Sequence, residues 1–171
     1  DAVPTEAELV RTFGSAYQAK DWPAAIAAGS ALSKLRPTDA TIHYNLACVY
    51  ALAEKPKLAL AQLEASATHG FTNDALMQQD TDLASVRALD GFAAIVKRVT
   101  GNRVAARAEF EKKADKVKPL IITPPGFNHG LPAPVIVALH GFGGNADDFA
   151  GLYRAVAKER KALLVVPRTV H

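Results

Sequence analysis

The sequence predicts two parts with different folds: an α-helical repeat domain over residues 1–117 and the first strands of an α/β sheet over residues 118–171. The first part is rich in alanine and places apolar residues such as Ile42, Leu46 and Val49 at helical spacing. It also repeats itself at a fixed interval. The second part begins with a proline-rich segment and then reads as strand, helix and strand, which is the pattern of an α/β fold.

The repeat is visible in two aligned pairs of segments. Residues 21–26 align with residues 55–60 at an offset of 34, and the same offset aligns residues 37–39 with residues 71–73. A fixed period of this length is typical of stacked helix pairs, in which each pair buries its apolar face against the next. The first part is therefore predicted to be a short array of paired helices.

Individual residues extend this pattern. Residues 44–50 resemble the first helix of a tetratricopeptide repeat, and Ala59 lies where the second helix needs a small residue for close packing. In the earlier repeat, Gly14 and Tyr17 correspond to Ala47 and Tyr50 of the later one. They lie 33 residues before these counterparts and not 34, which predicts that one loop is a residue shorter. Residues 81–95 resemble the unit that closes such an array. The resemblance implies a groove that can bind a peptide or a neighbouring protein.

A further helix is predicted over residues 103–116, because four apolar residues fall on one side of it. These four are Ala106, Phe110, Ala114 and Val117. The pattern changes at position 118, where a strand-like segment and then a proline-rich stretch begin. We therefore place the domain boundary there.

The second part is predicted to contain a strand over residues 135–139, a glycine-rich loop, a helix over 146–159 and a strand over 162–166. Two fully apolar strands joined by one helix predict a parallel pair with a right-handed crossover. Asn145 is the expected N-cap of the helix, and two acidic residues in the first turn face the positive end of the helix dipole.

The glycine-rich loop carries the candidate chemistry. It reads His140-Gly141-Phe142-Gly143-Gly144 directly after the apolar strand. This order of strand, loop and helix resembles the start of an α/β-hydrolase domain, of the polyhydroxybutyrate-depolymerase, feruloyl-esterase and phospholipase or carboxylesterase kind. The resemblance implies that the backbone amide of Phe142 donates to the oxyanion formed during acyl transfer. It implies that His140, Gly141, Gly143 and Gly144 shape the loop.

The same resemblance implies a catalytic serine, histidine and aspartate on later segments. The chain contains no Gly-x-Ser-x-Gly pentapeptide that would supply the serine. We therefore expect the chain to be the N-terminal part of a serine esterase whose substrate is a small-molecule carboxylic ester. We expect the chain to be inactive by itself, and the resemblance implies no cofactor.

Three other interpretations stay open. Residues 141–146 satisfy a relaxed G-x-G-x-x-A dinucleotide fingerprint, and Arg168 after the next strand can meet a 2′-phosphate. Asp147 and Asp148 weaken this nucleotide-binding interpretation, because they would place two negative charges beside the pyrophosphate. The loop can instead be only a tight turn between strand and helix. Finally, the helical array can be a protein-interaction module that the second part supports.

Composition sets a few further limits. Residues 97–118 carry 8 basic and 3 acidic side chains but only one aromatic, Phe110, and no recognition motif, so we predict a solvated helix face and no nucleic-acid partner. Apolar runs are too short for a membrane span. Cys48 is the single cysteine and the histidines lack metal-ligand spacing, so no metal site is predicted. The start at Asp1 resembles either a processed N-terminus or the cut edge of a longer chain, and no signal peptide is visible. Export is the location that we prefer.

Overall fold

The computed structural model describes residues 3–114, 116–128, 130–139, 141 and 144–168. Its internal contacts divide the chain into two compact units, Asp1–Arg107 and Ala108–His171. The first unit is helical, and the second contains a small three-stranded sheet with one crossover helix. The predicted order of a helical domain followed by a few strands is thus confirmed, whereas the domain boundary at position 118 stays a prediction.

Two helix pairs and a closing segment form the first unit, and the last helix, α6, ends within the residues of the second unit. The helices and the short 3₁₀ helix run in the order α1 (Glu6–Gln18), α2 (Trp22–Leu35), α3 (Ala40–Leu52), α4 (Pro56–Thr68), α5 (Asp74–Gln79), the 3₁₀ helix (Thr81–Leu83) and α6 (Phe92–Ala114). Within the described residues, no helix is both long enough and apolar enough to cross a bilayer.

Local signals set where the first helices begin. Thr5 caps α1 through a reciprocal capping box, in which Glu8 donates its backbone N–H to the Thr5 hydroxyl and accepts from the Thr5 backbone N–H at 2.8 Å. Asp21 caps α2 and Asp39 caps α3 with their side-chain oxygens. Helix α4 has no side-chain cap and begins instead at Pro56, which has no N–H to satisfy in the first turn.

The two helix pairs repeat at an exact spacing of 34 residues. The offset separates the starts of α1 and α3, the ends of α1 and α3, and the starts of α2 and α4. It also separates Lys20 and Glu54, which end the first helix of each pair with left-handed φ angles of 58° and 57°. The prediction that one loop is a residue shorter is therefore wrong. Gly14 and Tyr17 correspond in the structure to Cys48 and Ala51, because neither turn lacks a residue.

Small residues allow the helices of each pair to approach closely. Ala59 is fully buried, as predicted, and Ala25 occupies the equivalent position in the first pair with the same burial. The closing segment adds Leu83 and Phe92 to the cluster around α3 and α4. Residues 81–95 thus begin with the 3₁₀ helix and end in α6, and they cover apolar surface of the second pair.

Helix α6 differs from its prediction. It is one continuous helix of 23 residues that starts at Phe92, not a separate helix over 103–116. The Asn102 side chain donates to the backbone carbonyls of Ala67 and Phe71 at 2.7 and 3.0 Å, and Arg103 pairs with Asp74. These tertiary contacts hold the helix through Gly101, where propensity alone favours a break.

The predicted apolar side of this helix is not buried. Ala106 is exposed and Phe110 is 58% exposed, while Ala114 and Val117 are half-buried. The helical spacing of these four residues is real. Nevertheless, no element of the described chain covers Ala106 and Phe110. Helical spacing of apolar residues therefore does not mark a packed face at this end of the helix.

The second unit consists of β1 (Leu120–Ile122), β2 (Val135–Val137), α7 (Ala146–Glu159) and β3 (Leu163–Val166). The strand order is β1-β3-β2, with β2 parallel and β1 antiparallel to β3. The predicted parallel pair with a crossover helix is confirmed, and α7 has the predicted bounds.

Helix α7 covers one face of this sheet. Its Ala146, Ala150 and Ala157 pack on Ile136 and Leu164. The residues that point to the opposite face are also apolar, and three of them are exposed: Ile121, Val135 and Val137. A sheet that is apolar on both faces is typical of α/β folds with helices on both sides.

Candidate functional site

The glycine-rich loop starts where β2 leaves the sheet. The ladder between β2 and β3 continues one residue beyond Val137, because the Ala138 N–H donates to the Val165 carbonyl at 3.0 Å. His140, Phe142 and Gly143, three of the five predicted site residues, lie outside the described residues.

The other two predicted site residues, Gly141 and Gly144, are described. The Gly144 N–H donates to the Gly141 carbonyl at 3.1 Å, so these two glycines lie close together directly before α7. Both glycines are exposed. The structure therefore places these glycines at the carboxyl end of a parallel strand, where α/β sheets commonly bind ligands.

Helix α7 begins directly after these glycines and supplies its own cap. The Asn145 side-chain oxygen accepts from the Asp148 N–H at 2.8 Å, and the Asn145 amide donates to the Asp148 carboxylate at 2.5 Å. Asp147 and Asp148 both lie in the first turn, as predicted. The amide end of α7 is thus capped by a side chain and faced by two negative charges.

Arg168 follows β3 at the same edge of the sheet. Its guanidinium pairs with the Asp147 carboxylate at 3.4 Å. Both side chains are largely exposed, so this pair contributes about 1 kcal/mol or less to stability. The pair shows that the end of β3 and the start of α7 lie side by side.

The chemistry open to this edge is limited by its residue types. Residues 108–171 contain neither serine nor cysteine. A glycine-rich loop of this kind can orient N–H donors toward a developing negative charge, but it supplies no serine or cysteine nucleophile of its own.

A second polar site lies in the first unit. It is a groove of about 490 Å³ between α1, α3 and the segment that contains α5 and the 3₁₀ helix. We call it the acidic groove. The side chains that line it are Phe13, Tyr17, Gln18, Tyr44, Asn45, Cys48, Leu76, Asp80 and Asp82.

Hydrogen bonds connect the polar groups of the acidic groove. The Tyr17 hydroxyl donates to the Asp82 carboxylate at 2.5 Å, and the Tyr44 hydroxyl donates to the Asp80 carboxylate at 2.7 Å. The Cys48 thiol donates to the same Asp80 oxygen at 3.7 Å. The Asp82 backbone N–H donates to the other Asp80 oxygen at 3.0 Å, which fixes the two aspartates relative to each other.

These surroundings disfavour ionisation of the phenols and the thiol. The hydrogen bond to Asp82 raises the pKa of Tyr17, with burial as a second cause. Burial, followed by the hydrogen bond to Asp80, raises the pKa of Tyr44. Burial also raises the pKa of Cys48, and the charge of Asp80 adds to the effect. The site therefore holds neutral donors around two carboxylates.

Ligand atoms of Cys48, Asp80 and Asp82 lie within 4.8 Å of one another, a grouping that can hold a metal ion. This grouping is not predictable from the sequence, because 32 residues separate the cysteine from the first aspartate. The only sequence signal is the Asp-Thr-Asp run at the start of the closing segment. A metal bound here would have to displace the proton of the Cys48 thiol, because a thiol ligand binds as the thiolate.

The described histidines in the helical unit, His43 and His69, contact other parts of that unit. His43 is buried, and its two ring nitrogens lie 2.8 Å from the Gln62 side-chain oxygen and 2.9 Å from the Pro37 carbonyl. Its ring stacks on the exposed His69 at a centroid distance of 5.4 Å. Both nitrogens of His43 are therefore engaged in the fold.

Comparisons of the chain with protein-family models, with curated proteins and with solved structures find no match.

Proposed function

We propose that the chain forms the N-terminal part of a serine esterase, in which the glycine-rich loop helps to stabilise the oxyanion. The observation that carries this proposal is the β2–loop–α7–β3 unit. It combines a parallel strand pair, a crossover helix and a glycine-rich loop at the carboxyl edge. In α/β-hydrolases the loop between a parallel strand and its helix supplies one of the oxyanion amides.

Two further features support an α/β-hydrolase sheet. The antiparallel strand β1 flanks the parallel pair, and mixed sheets of this kind are common in α/β folds. The face opposite α7 is also apolar, with Ile121, Val135 and Val137 exposed in the part of the chain that the structure describes. A sheet with two apolar faces needs helices on both sides, as in a larger α/β domain.

The proposed mechanism assigns one step to this chain. A serine attacks the ester carbonyl, a histidine takes the serine proton, and an aspartate orients the histidine. We place these three groups on a segment beyond residue 171. The Phe142 N–H then donates to the carbonyl oxygen as it becomes negative, while His140, Gly141, Gly143 and Gly144 shape the loop.

The nucleotide-binding alternative receives less support from the geometry. A pyrophosphate at the start of α7 would need free N–H donors and would meet a negative field from Asp147 and Asp148. Asn145 already accepts from the Asp148 N–H, and Arg168 is paired with Asp147. The loop alone therefore does not favour a phosphate ligand.

The test uses a protein that contains residues 1–171 followed by a Gly-x-Ser-x-Gly segment. We expect it to hydrolyse a short-chain nitrophenyl ester and to lose activity to an organophosphate, whereas the 171-residue chain shows no turnover. Phe142→Pro removes the N–H and is expected to lower kcat by ~10²–10³, the usual effect of losing one oxyanion donor. Phe142→Ala keeps the N–H and serves as the matched control.

A well-folded Phe142→Pro protein that kept the kcat of Phe142→Ala would exclude the oxyanion role, with folding checked by thermal melting. Turnover by the purified 171-residue chain, above a heat-inactivated sample, would contradict the assignment of the nucleophile to a later segment.

We also propose that the helical unit is a tetratricopeptide-like array with a role in protein interaction. The two helix pairs with an exact 34-residue offset support the repeat, and the groove on the first helices of both pairs supports the role. Selection of peptides from a displayed library on the 171-residue chain tests it. Failure to select any peptide that binds in the groove would contradict this second candidate.

A further inference from the structure

We propose that the acidic groove binds a partner peptide through an arginine side chain, whose guanidinium lies against Asp80 and Asp82. The inference rests on the interaction role proposed for the helical unit and is independent of the esterase proposal. Three observations lead to it: two carboxylates without a cationic partner, aromatic walls, and polar and apolar groups at the rim that suit a peptide chain.

The first observation is unbalanced charge. Asp80 and Asp82 are half-buried, and oxygens from both belong to the group of atoms within 4.8 Å of one another. Among the described residues, no lysine or arginine forms an ion pair with either carboxylate. Arg87 lies nearby, but its guanidinium donates to the Asp80 backbone carbonyl. A cation from outside the chain would therefore meet two carboxylates that no basic side chain of the described residues neutralises.

The second observation is the arrangement of neutral donors. The hydroxyls of Tyr17 and Tyr44 each satisfy one carboxylate, which keeps both aspartates in place without neutralising them. The groove thus retains two formal negative charges, and its lining contains no basic side chain. This charge attracts a cation, and the fixed oxygens give the cation a defined position.

The third observation concerns shape. The half-buried rings of Phe13 and Tyr17 line the groove, and guanidinium groups pack well on aromatic faces. A planar guanidinium can also donate to two carboxylates at once, which a lysine ammonium does less well. At the rim, the exposed Asn45 offers a donor and an acceptor to a peptide backbone, and Leu76 offers apolar surface.

The same atoms favour an organic cation over a metal ion. Asp80 already accepts from Tyr44 and Cys48 on one oxygen and from the Asp82 backbone on the other. A metal would have to displace these donors and deprotonate a buried thiol. An arginine needs only the lone pairs that remain.

The experiment selects heptapeptides from a displayed random library on the 171-residue chain and sequences the bound pool. We expect arginine to be enriched over its frequency in the library. The peptide that binds best is then labelled with a fluorophore, and its affinity is compared by anisotropy with that of an analogue in which citrulline replaces arginine. Citrulline keeps the shape and removes the charge, so we expect its affinity to fall about tenfold or more.

Protein variants test the same contact from the other side. Asp82→Asn keeps an acceptor for Tyr17 but removes the charge, and we expect it to weaken binding of the arginine peptide about tenfold or more. Asp90→Asn removes a charge from an exposed position outside the groove and is expected to leave affinity unchanged. Thermal melting checks that Asp82→Asn is folded, because the substitution also replaces the charge-assisted hydrogen bond from Tyr17 by a neutral one.

Each other outcome counts against the inference in a distinct way. Selected peptides without arginine enrichment, or equal binding to Asp82→Asn, would overturn the arginine site but leave the interaction role standing. Enrichment of lysine alone would overturn the preference for a guanidinium. Binding that a chelator abolishes would indicate a metal site instead. Failure to select any peptide would overturn both the site and the interaction role, and none of these results bears on the esterase.

Discussion

Gly29 leaves no room for a side chain where α2 packs against α1 and α3. It lies on α2, and a Cβ atom added there would lie 2.8 Å from a ring carbon of Phe13 on α1 and 2.9 Å from a methyl of Leu46 on α3. Gly101, in the middle of α6, has nothing within 4 Å of the same position. The two glycines therefore allow one substitution to be compared with and without a packing partner.

The expected effects of substitution to alanine differ in sign. Replacing an interior helical glycine by alanine stabilises a helix by about 1 kcal/mol, and at Gly101 this is the whole effect. At Gly29 the new carbon is closer than the ~3.5–4.0 Å at which carbon atoms pack best, and overpacking costs about 1–3 kcal/mol. Gly29→Ala should therefore range from neutral to about 2 kcal/mol destabilising, while Gly101→Ala stabilises.

The assay is urea unfolding of the two variants and the parent chain, followed by circular dichroism at a helix wavelength. The free energies of unfolding are compared at equal m-values, so that a change in the denatured state is recognised. If Gly29→Ala gained as much stability as Gly101→Ala, the close packing of α1 and α3 around α2 would be wrong.

Three further predictions concern the folding unit, the buried thiol and an ion pair. A fragment of residues 1–117 should fold and unfold cooperatively in urea, because its core clusters lie within it; a gradual transition measured by circular dichroism would contradict this. The Cys48 thiol, with a raised pKa, should react slowly with a disulfide reagent at mildly alkaline pH and rapidly in concentrated guanidinium chloride; fast reaction of the native chain would contradict its burial. The hydrogen bond from Arg103 lowers the pKa of the folded-state Asp74 carboxyl. Its contribution to stability is therefore complete above the unfolded pKa of about 4 and is lost as the pH falls through the lower folded pKa. Asp74→Asn should flatten the acid side of the curve of urea midpoint against pH, and an unchanged curve would contradict this prediction.

Elements with local signals are predictable from this sequence. Helix α7 has its predicted bounds because Asn145 caps one end and the chain turns sharply at the other. Strand β3 starts one residue later than predicted, at Leu163. The reason is that the Ala162 N–H donates to the Ala157 carbonyl at 2.9 Å and so completes the end of α7. Such one-residue differences follow from hydrogen bonds that compete at element ends.

Features that depend on distant contacts are not predictable in the same way. The continuity of α6 through Gly101 depends on Asn102, whose side chain reaches carbonyls more than 30 residues earlier in the chain. The acidic groove depends on pairs such as Tyr17 with Asp82, 65 residues apart. No periodicity or cap marks these pairs, because only the stacking of the helix pairs brings them together.

The acidic groove is built from residues that also hold the fold, and this decides how rigid it is. The ring of Tyr44 is buried and stacks on Phe71 at a centroid distance of 4.5 Å, which fixes the hydroxyl that donates to Asp80. Asp80 in turn caps the 3₁₀ helix by accepting from the Asp82 backbone N–H. Two like charges are therefore held close together by groups that cannot relax without opening the core. A ligand cation would meet them already in position, so its binding would need little ordering of the protein.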